Sequence, residues 1–425
     1  MKILLTTDWY KPIINGVVTS VMNLKKELEE RGHEVRVLTL AGNYESCKVG
    51  SVYYMKSLNL EKIYPNARAV IPHAEPFIRE LIQWKPDVVH SQCEFMTFSY
   101  AVKISRKCGC PLLHTYHTIY EDYLHYFPGG FSEYRMGEKL ERKAVAEFSR
   151  SVLNKTDQVL VPTEKVKKIL EKYEVAQPVS VIPSGIDLKR FTTELSMDEK
   201  AALKRKWNIP LENKVLVSVG RLAKEKNLEE ILTYFARIIQ EKGNENLTLL
   251  IAGDGPDKGR LEELAAALHL KEQVIFTGMI APKEVGKYYQ LGDVFVCASN
   301  SETQGITYIE ALASGVLPLC RKDECLNGVI TDGYNGFQYE SYEYFKMHLE
   351  YLLEKEERRA QMRKNARETA YLYSTWNFCT MVEHLYKEVL DRKEKAEKEE
   401  LWMPQTYGSF FQTMRNLGRT LRKGA

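Results

Sequence analysis

The chain has 425 residues, 44% of them hydrophobic and 28% charged. That length exceeds what one core usually organises, so two domains and a tail are expected, with the composition of a soluble globular protein. A net charge of +3, from 60 Lys and Arg against 57 Asp and Glu, excludes a chain-wide field for steering nucleic acid, so no nucleic-acid partner is expected.

In chain order, MKILLTTDW has a short apolar run and no cleavage-site pattern, which argues against a signal peptide. Lys2–Thr6 reads as a buried strand. Asn15-Gly16-Val17 reads as a loop, and Val18, Val21, Met22, Lys25 and Leu28 as a helix ended by Gly32. Glu34–Leu40 completes a βαβ unit. Gly16 is either a plain turn residue or a place where a backbone N–H meets a phosphate. The absence of a full G-x-G-x-x-G disfavours a dinucleotide-dependent dehydrogenase. A helix is expected over Glu75–Trp84 and strands at Asp87–His90 and Pro111–Leu113. His90, His114, Tyr116 and His117 then fall beyond strand carboxyl ends, where open parallel sheets bind ligands. Cys108 and Cys110 form a lone C-x-C without zinc spacing; with eight scattered cysteines, buried free thiols and a reducing compartment are expected. Residues 133–155 read as a helix in which Arg142, Lys143, Arg150 and Lys155 outweigh Glu147. That face is either solvated or turned to an anionic membrane. Asp157–Pro162 closes a strand and Thr163 caps the next helix.

A second α/β series follows: Val215–Val219, then Gly220-Arg221 in a loop and a helix from near Asn227. Leu247–Ala252 precedes a Gly253-Asp254-Gly255-Pro256 turn whose glycines read as architectural. Val274–Thr277 and Val294–Cys297 are further strands. After Val294–Cys297, Ser299, Asn300 and Ser301 break the run, and Ile306, Ile309, Leu312 and Ala313 recur at helical spacing from Gly305. Glu302 thus lies in the loop and Glu310 in the helix. The helix start between them suits a phosphate, and the carboxylates suit hydroxyls at the two ends of a nucleotide sugar. Arg221 and Lys226 aim at the same sheet edge, where fixed cations can neutralise a departing diphosphate. Val316–Leu319 is a strand, 332–337 a turn and a short strand, and 376–396 a long helix. No apolar stretch nears the ~20 residues of a membrane span. Residues 401–425 hold no Asp or Glu. On a helix, Phe410, Met414, Leu417 and Leu421 share one stripe opposite Arg415, Arg419, Arg422 and Lys423. That segment is either an interfacial anchor or a helix docked on the protein itself.

Three stretches carry a resemblance: VFVCASNSETQGITYIEALASG at 294–315, GRLAKEKN at 220–227 and HTYHTIYEDYLHYF at 114–127. The first resembles the E-x7-E signature of retaining GT-B glycosyltransferases (glycosyltransferase family 4). The last is similar to the branch of bacterial 1,2-diacylglycerol 3-alpha-glucosyltransferases. The resemblance implies an α/β GT-B fold, two Rossmann-like domains facing across a cleft, with the C-terminal helix returning to the first. It implies Glu302 on the transferred sugar's hydroxyls, Glu310 on the ribose, and Gly16, Arg221 and Lys226 at the diphosphate. Gly305 and Ile306 then border the donor at the helix start, the nucleobase sits at the level of Gly278-Met279-Ile280, and His117 lies against the donor sugar near the reacting centre. Tyr120, Glu121 and Asp122 fall on the acceptor side. At 323–328 the chain departs from the Pro-Glu pair of many relatives, so no local role is carried over there.

The expected division is an acceptor and membrane-facing domain at 1–188, a nucleotide-sugar domain at 189–374, a return helix at 375–400 and the basic amphipathic tail at 401–425. The implied activity is retaining transfer of a hexose, glucose from UDP-glucose, to a lipid hydroxyl such as diacylglycerol. Its partners would be the nucleotide sugar, the lipid and an anionic membrane surface, with the enzyme peripheral at the cytoplasmic face. No D-x-D triad is visible, so neither metal nor other cofactor is expected. A glycosyltransferase acting on another lipid-linked or soluble glycan, a sugar-nucleotide epimerase on the same fold and a non-catalytic, membrane-associated nucleotide-sugar-binding protein are the alternatives.

Overall fold

The computed structural model describes residues 1–402 apart from 14, 61–67, 71–75, 122–134, 244–245, 300 and 355. Its frame is two sheets built from the short apolar runs of the sequence. Such runs suit parallel strands, which are covered on both faces. The first sheet has eight strands in the spatial order Val179–Val181, Gln158–Val161, Leu112–Thr115, Val88–Ser91, Lys2–Thr6, Glu34–Leu40, Val52–Met55, Cys47–Val49. All neighbours are parallel except the last pair, a hairpin. The second has six, all parallel, in the order Val274–Gly278, Leu247–Ala252, Lys214–Val219, Val294–Cys297, Leu317–Arg321, Phe337–Tyr339. In each sheet the winding reverses beside its first long strand: between Lys2–Thr6 and Val88–Ser91, and between Lys214–Val219 and Val294–Cys297. Loops leaving the carboxyl ends of those pairs diverge and leave a crevice, the usual ligand site of doubly wound sheets.

Both sheets belong to one compact unit, Met1–Thr380. Asn23 Nδ2 donates to the Gly185 carbonyl (3.2 Å), and Ile186 N to the Tyr373 carbonyl (2.9 Å). Gly185 is packed so tightly that an added Cβ would sit 2.7 Å from Phe378 Cβ and 2.8 Å from Thr375 Cα. A long helix, Thr375–Trp402, begins here. Its first residues reach the first half, where Arg31 Nη2 donates to the Trp376 carbonyl (2.8 Å) and the guanidinium lies 5.3 Å from the Trp376 ring. From Met381 the helix belongs to a second unit. Val382, Leu385, Tyr386 and Val389 form its buried stripe, and Lys387–Glu383 and Lys398–Glu394 pair at helical spacing (both 2.7 Å). The basic tail from Phe410 to Lys423, Asp122 and Asn300 lie outside the described residues.

Several expectations change. Gly16 is not in a loop but opens the helix Gly16–Glu30, with Asn15 capping it through its side chain on Val18 N (2.8 Å). The hairpin Cys47–Val49/Val52–Met55 and the helix Met96–Cys108 are additions, their short or mixed patterns giving no clear period. On the helix Arg135–Leu153, Arg142 pairs with Glu121 (3.0 Å), and Arg150 with Glu174 (2.9 Å) and with Glu147. Much of that helix's positive charge is therefore balanced locally. All eight cysteines are free; Cys47 is exposed and Cys108 half-buried, and the other six are buried. Among the described residues no helix is long and apolar enough to cross a membrane.

Candidate active site

At the reversal point of the second sheet, two loops bring opposite charges together. The loop after Lys214–Val219 ends in a 3₁₀ turn, Lys224–Lys226, and Asn227 in a left-handed conformation leads into the helix Leu228–Lys242. The Gly253 turn braces it. Leu222 N donates to the Asp254 carbonyl (3.0 Å), and a Cβ on Gly253 would fall 1.8 Å from the Gly220 carbonyl oxygen. Those glycines are architectural, as read from the sequence. The loop after Val294–Cys297 is tied to the turn by Ser299 Oγ donating to the Glu225 carbonyl (3.2 Å). Gly305 then takes φ 73° and caps the helix Ile306–Ala313; a side chain there would meet the Tyr308 ring at 2.2 Å. Only glycine allows this turn from loop to helix.

Lys226 Nζ lies 2.5 Å from Glu302 Oε1, and their side chains are 26% and 11% exposed. A carboxylate so enclosed needs a cation or hydrogen-bond donors to stay ionised. Arg221, exposed, lines the same small cleft with Lys226, Glu302 and Thr307. Glu310 is held differently: Tyr289 OH donates to its Oε2 (2.8 Å). Burial pushes the Glu310 carboxyl up to about 7, opposed by the Tyr289 hydrogen bond and by Arg190.

The first half supplies the opposite wall. A Cβ placed on Gly16 would lie 3.7 Å from Ile306 Cδ1, so the starts of the helices Gly16–Glu30 and Ile306–Ala313 meet. Both helix starts present N–H groups and partial positive charge, which together favour an anion between them.

Beyond the first sheet's strands lies a buried polar cluster. His117 Nε2–H donates to Gln92 Oε1 (2.9 Å). Burial lowers the His117 imidazole to about 4, despite the nearby Glu94, so it is neutral near pH 7 with Nδ1 as its acceptor. His114 Nε2 meets Glu94 Oε1 (3.2 Å), Tyr120 OH donates to Glu94 Oε2 (2.5 Å), and His90 Nε2 meets Thr115 Oγ1 (2.7 Å). His90 and His114 are fully buried. Glu121, which the resemblance puts on the acceptor side, is bonded by Arg142 and by Tyr173 OH (2.6 Å). Sequence reasoning missed Gln92, Glu94 and Asp8. The first two lie one and three residues past Val88–Ser91 at the reversal point, so the strand-end rule applied to the histidines would have found them. Asp8 caps the helix Met96–Cys108 from a distant loop, accepting from Thr97 N (2.8 Å), Thr97 Oγ1 (2.6 Å) and Met96 N (2.9 Å).

Residues 199–369 match the model of Glycosyl transferases group 1, and residues 14–190 that of Glycosyltransferase Family 4. The chain is 35% identical over 348 residues to an alpha-monoglucosyldiacylglycerol synthase of Streptococcus pneumoniae, covering 80% of this chain and 75% of that one. The chain belongs to glycosyltransferase family 4. A second relative of this transferase, the alpha-monoglucosyldiacylglycerol synthase of Acholeplasma laidlawii, is 30% identical over 397 residues, 93% of this chain and 99% of that one. The fold matches the crystal structure of Anabaena Alr3699/HepE in complex with UDP at a TM-score of 0.69, with 15% identity and coverage of 91% of this chain and 100% of that one. The transferase is thus a GT-B enzyme that moves a hexose from a nucleotide sugar.

Proposed function

We propose that this transferase moves glucose from UDP-glucose, with retention, to the free hydroxyl of diacylglycerol at an anionic membrane surface. The observation that carries this choice within the family is the likeness to two alpha-monoglucosyldiacylglycerol synthases over most of their length. An α-glucoside made from an α-linked sugar nucleotide requires net retention at the anomeric carbon. In this reading Glu310 binds the ribose and Glu302 the glucose hydroxyls. The facing helix starts at Gly16 and at Gly305-Ile306, together with Arg221 and Lys226, receive the diphosphate.

The Lys226–Glu302 pair supports a division of labour. In the structure each neutralises the other. As the glycosidic bond breaks, charge builds on the leaving phosphate oxygen and Lys226 gains a stronger partner there. The Glu302 carboxylate can then accept from sugar hydroxyls whose acidity rises as the sugar becomes cationic. His117, neutral, serves by accepting a hydrogen bond at Nδ1 rather than by charge. With the diphosphate met in this way, no divalent ion is required.

Radiolabelled UDP-glucose incubated with diacylglycerol vesicles and excess EDTA tests the whole reading. The expected product is an α-glucosyl lipid formed at the rate seen without EDTA. Label found only in a soluble product, or in an epimerised nucleotide sugar, would overturn the acceptor or the reaction class. Restoration of a lost rate by magnesium would overturn the metal-free account.

A further inference from the structure

We propose that Lys165, on the first half, is a positioning residue for Glu302 on the second, acting through the main chain of the Glu302 loop. This rests on the reading of Glu302 as a donor-sugar contact. The segment from Ser301 to Gln304 has no regular structure of its own, so its position must come from its anchors. Three consecutive residues of it are held by the first half. Lys165 Nζ donates to the Glu302 carbonyl (3.2 Å), and Thr163 Oγ1 to the Thr303 carbonyl (2.9 Å). The Gln304 side chain accepts from Ser184 N (2.9 Å) and donates to the Ser184 carbonyl (3.0 Å). The Glu302 carboxylate, by contrast, is held within the second half by Lys226. The glutamate is therefore gripped from both sides of the cleft, by backbone on one and by side chain on the other.

Lys165 is itself fixed by Asp323, whose two carboxylate oxygens lie 2.9 and 2.8 Å from Nζ. These side chains are only 19% and 10% exposed, so loss of either leaves a poorly solvated charge. Asp323 also caps the turn Glu324–Leu326 through Cys325 N (2.7 Å). This is the stretch that departs from the family's Pro-Glu pattern. Here it serves as the counter-ion of a lysine from the other half. The neighbouring Lys168–Glu324 pair (3.1 Å) is 59% exposed on both sides and adds little. A carboxylate that must follow a sugar into its transition state loses rate when its loop drifts by a fraction of an ångström.

The variants Lys165→Met, Lys165→Arg and Asp323→Asn test this in the full chain, with glucosyl transfer, UDP affinity, thermal midpoint and amide hydrogen exchange as readouts. Lys165→Met is expected to lower kcat roughly tenfold while UDP affinity stays within about twofold, because UDP does not use Glu302. Exchange should quicken at the amides of Ser301–Gly305. Lys165→Arg should recover most of the rate, and Asp323→Asn, which keeps the cap on Cys325, should show the same split to a smaller degree. Wild-type kcat in Lys165→Met would overturn the proposal. So would parallel losses of kcat, UDP affinity and thermal midpoint, the mark of a purely structural role. If the wild-type protein transfers no glucose from UDP-glucose, the substrate reading fails, and the exchange comparison still decides whether Lys165 holds the loop.

Discussion

The two halves place polar residues at equivalent points of similar sheets and treat them in opposite ways. At the reversal point of the second sheet, Lys226 and Glu302 form an ion pair beside the exposed Arg221. At that of the first, His117 bonds to Gln92, and His114 and Tyr120 to Glu94, in a cluster of buried and half-buried side chains. Their partners separate them. Lys226 and Glu302 face each other as opposite charges. In the first-half cluster burial drives the His117 imidazole neutral, and it offers only hydrogen bonds. In the proposed reading one wall of the site meets charge, and the other supplies shape and polarity.

The largest effect should come from discharging the second-half wall. Lys226→Ala leaves Glu302 without its cation and the leaving diphosphate without one of its own. A fall in kcat of roughly a hundredfold is expected, by analogy with loss of a transition-state donor. A fall of less than about threefold would show that Lys226 does not meet the developing charge.

Glu310→Ala should act on binding, because a ribose contact exists in ground and transition states alike. Loss of a charge-assisted hydrogen bond worth about 1.5–3 kcal/mol should show in calorimetry with UDP, and unchanged affinity would remove Glu310 from the ribose. The carboxyl's folded pKa of about 7 lies above the ordinary 4.5, so its favourable contribution to stability is fully present below 4.5 and lost as pH rises through about 7. Donor binding should run the other way, since hydroxyls donate to the carboxylate. UDP-glucose affinity should weaken by up to about tenfold from pH 8 to pH 6, and Glu310→Gln should flatten that dependence. A pH-independent wild-type affinity would contradict it.

A several-fold effect is expected outside both walls. Truncation after Gln405 removes the basic stripe read from the sequence, whose cations would be drawn to an anionic surface. Vesicle sedimentation and activity on vesicles should fall, less so at high salt, with UDP affinity unchanged. Full vesicle binding by the truncated chain at low salt would move the search to the helix Arg135–Leu153.

The smallest expected effect sharpens the comparison most. With its pKa near 4, His117 should show no titration between pH 5 and 8 in the imidazole resonances of the free enzyme. A midpoint near the ordinary 6.5 would mean that the first-half cluster is wetter than its packing implies.

Much of this was legible in the residues alone. Lys2–Thr6, Glu34–Leu40, Leu247–Ala252 and Val294–Cys297 hold the bounds expected of them, because a core strand of a parallel sheet must be apolar on both faces and so announces itself. Thr163, Asn227 and Gly305 mark helix starts for local reasons of capping and backbone conformation. The nearness of Lys226 to Glu302 also follows once both are placed on loops at one sheet edge. Other features depend on contacts between residues far apart in sequence, which no local pattern encodes. Asp8 caps a helix 88 residues onward, Lys165 reaches Glu302 across 137, and Glu94 acquires its meaning only from His114 and Tyr120. Protonation belongs with these, since the neutrality of His117 and the raised pKa of Glu310 come from desolvation, a property of the packed site and not of the residue.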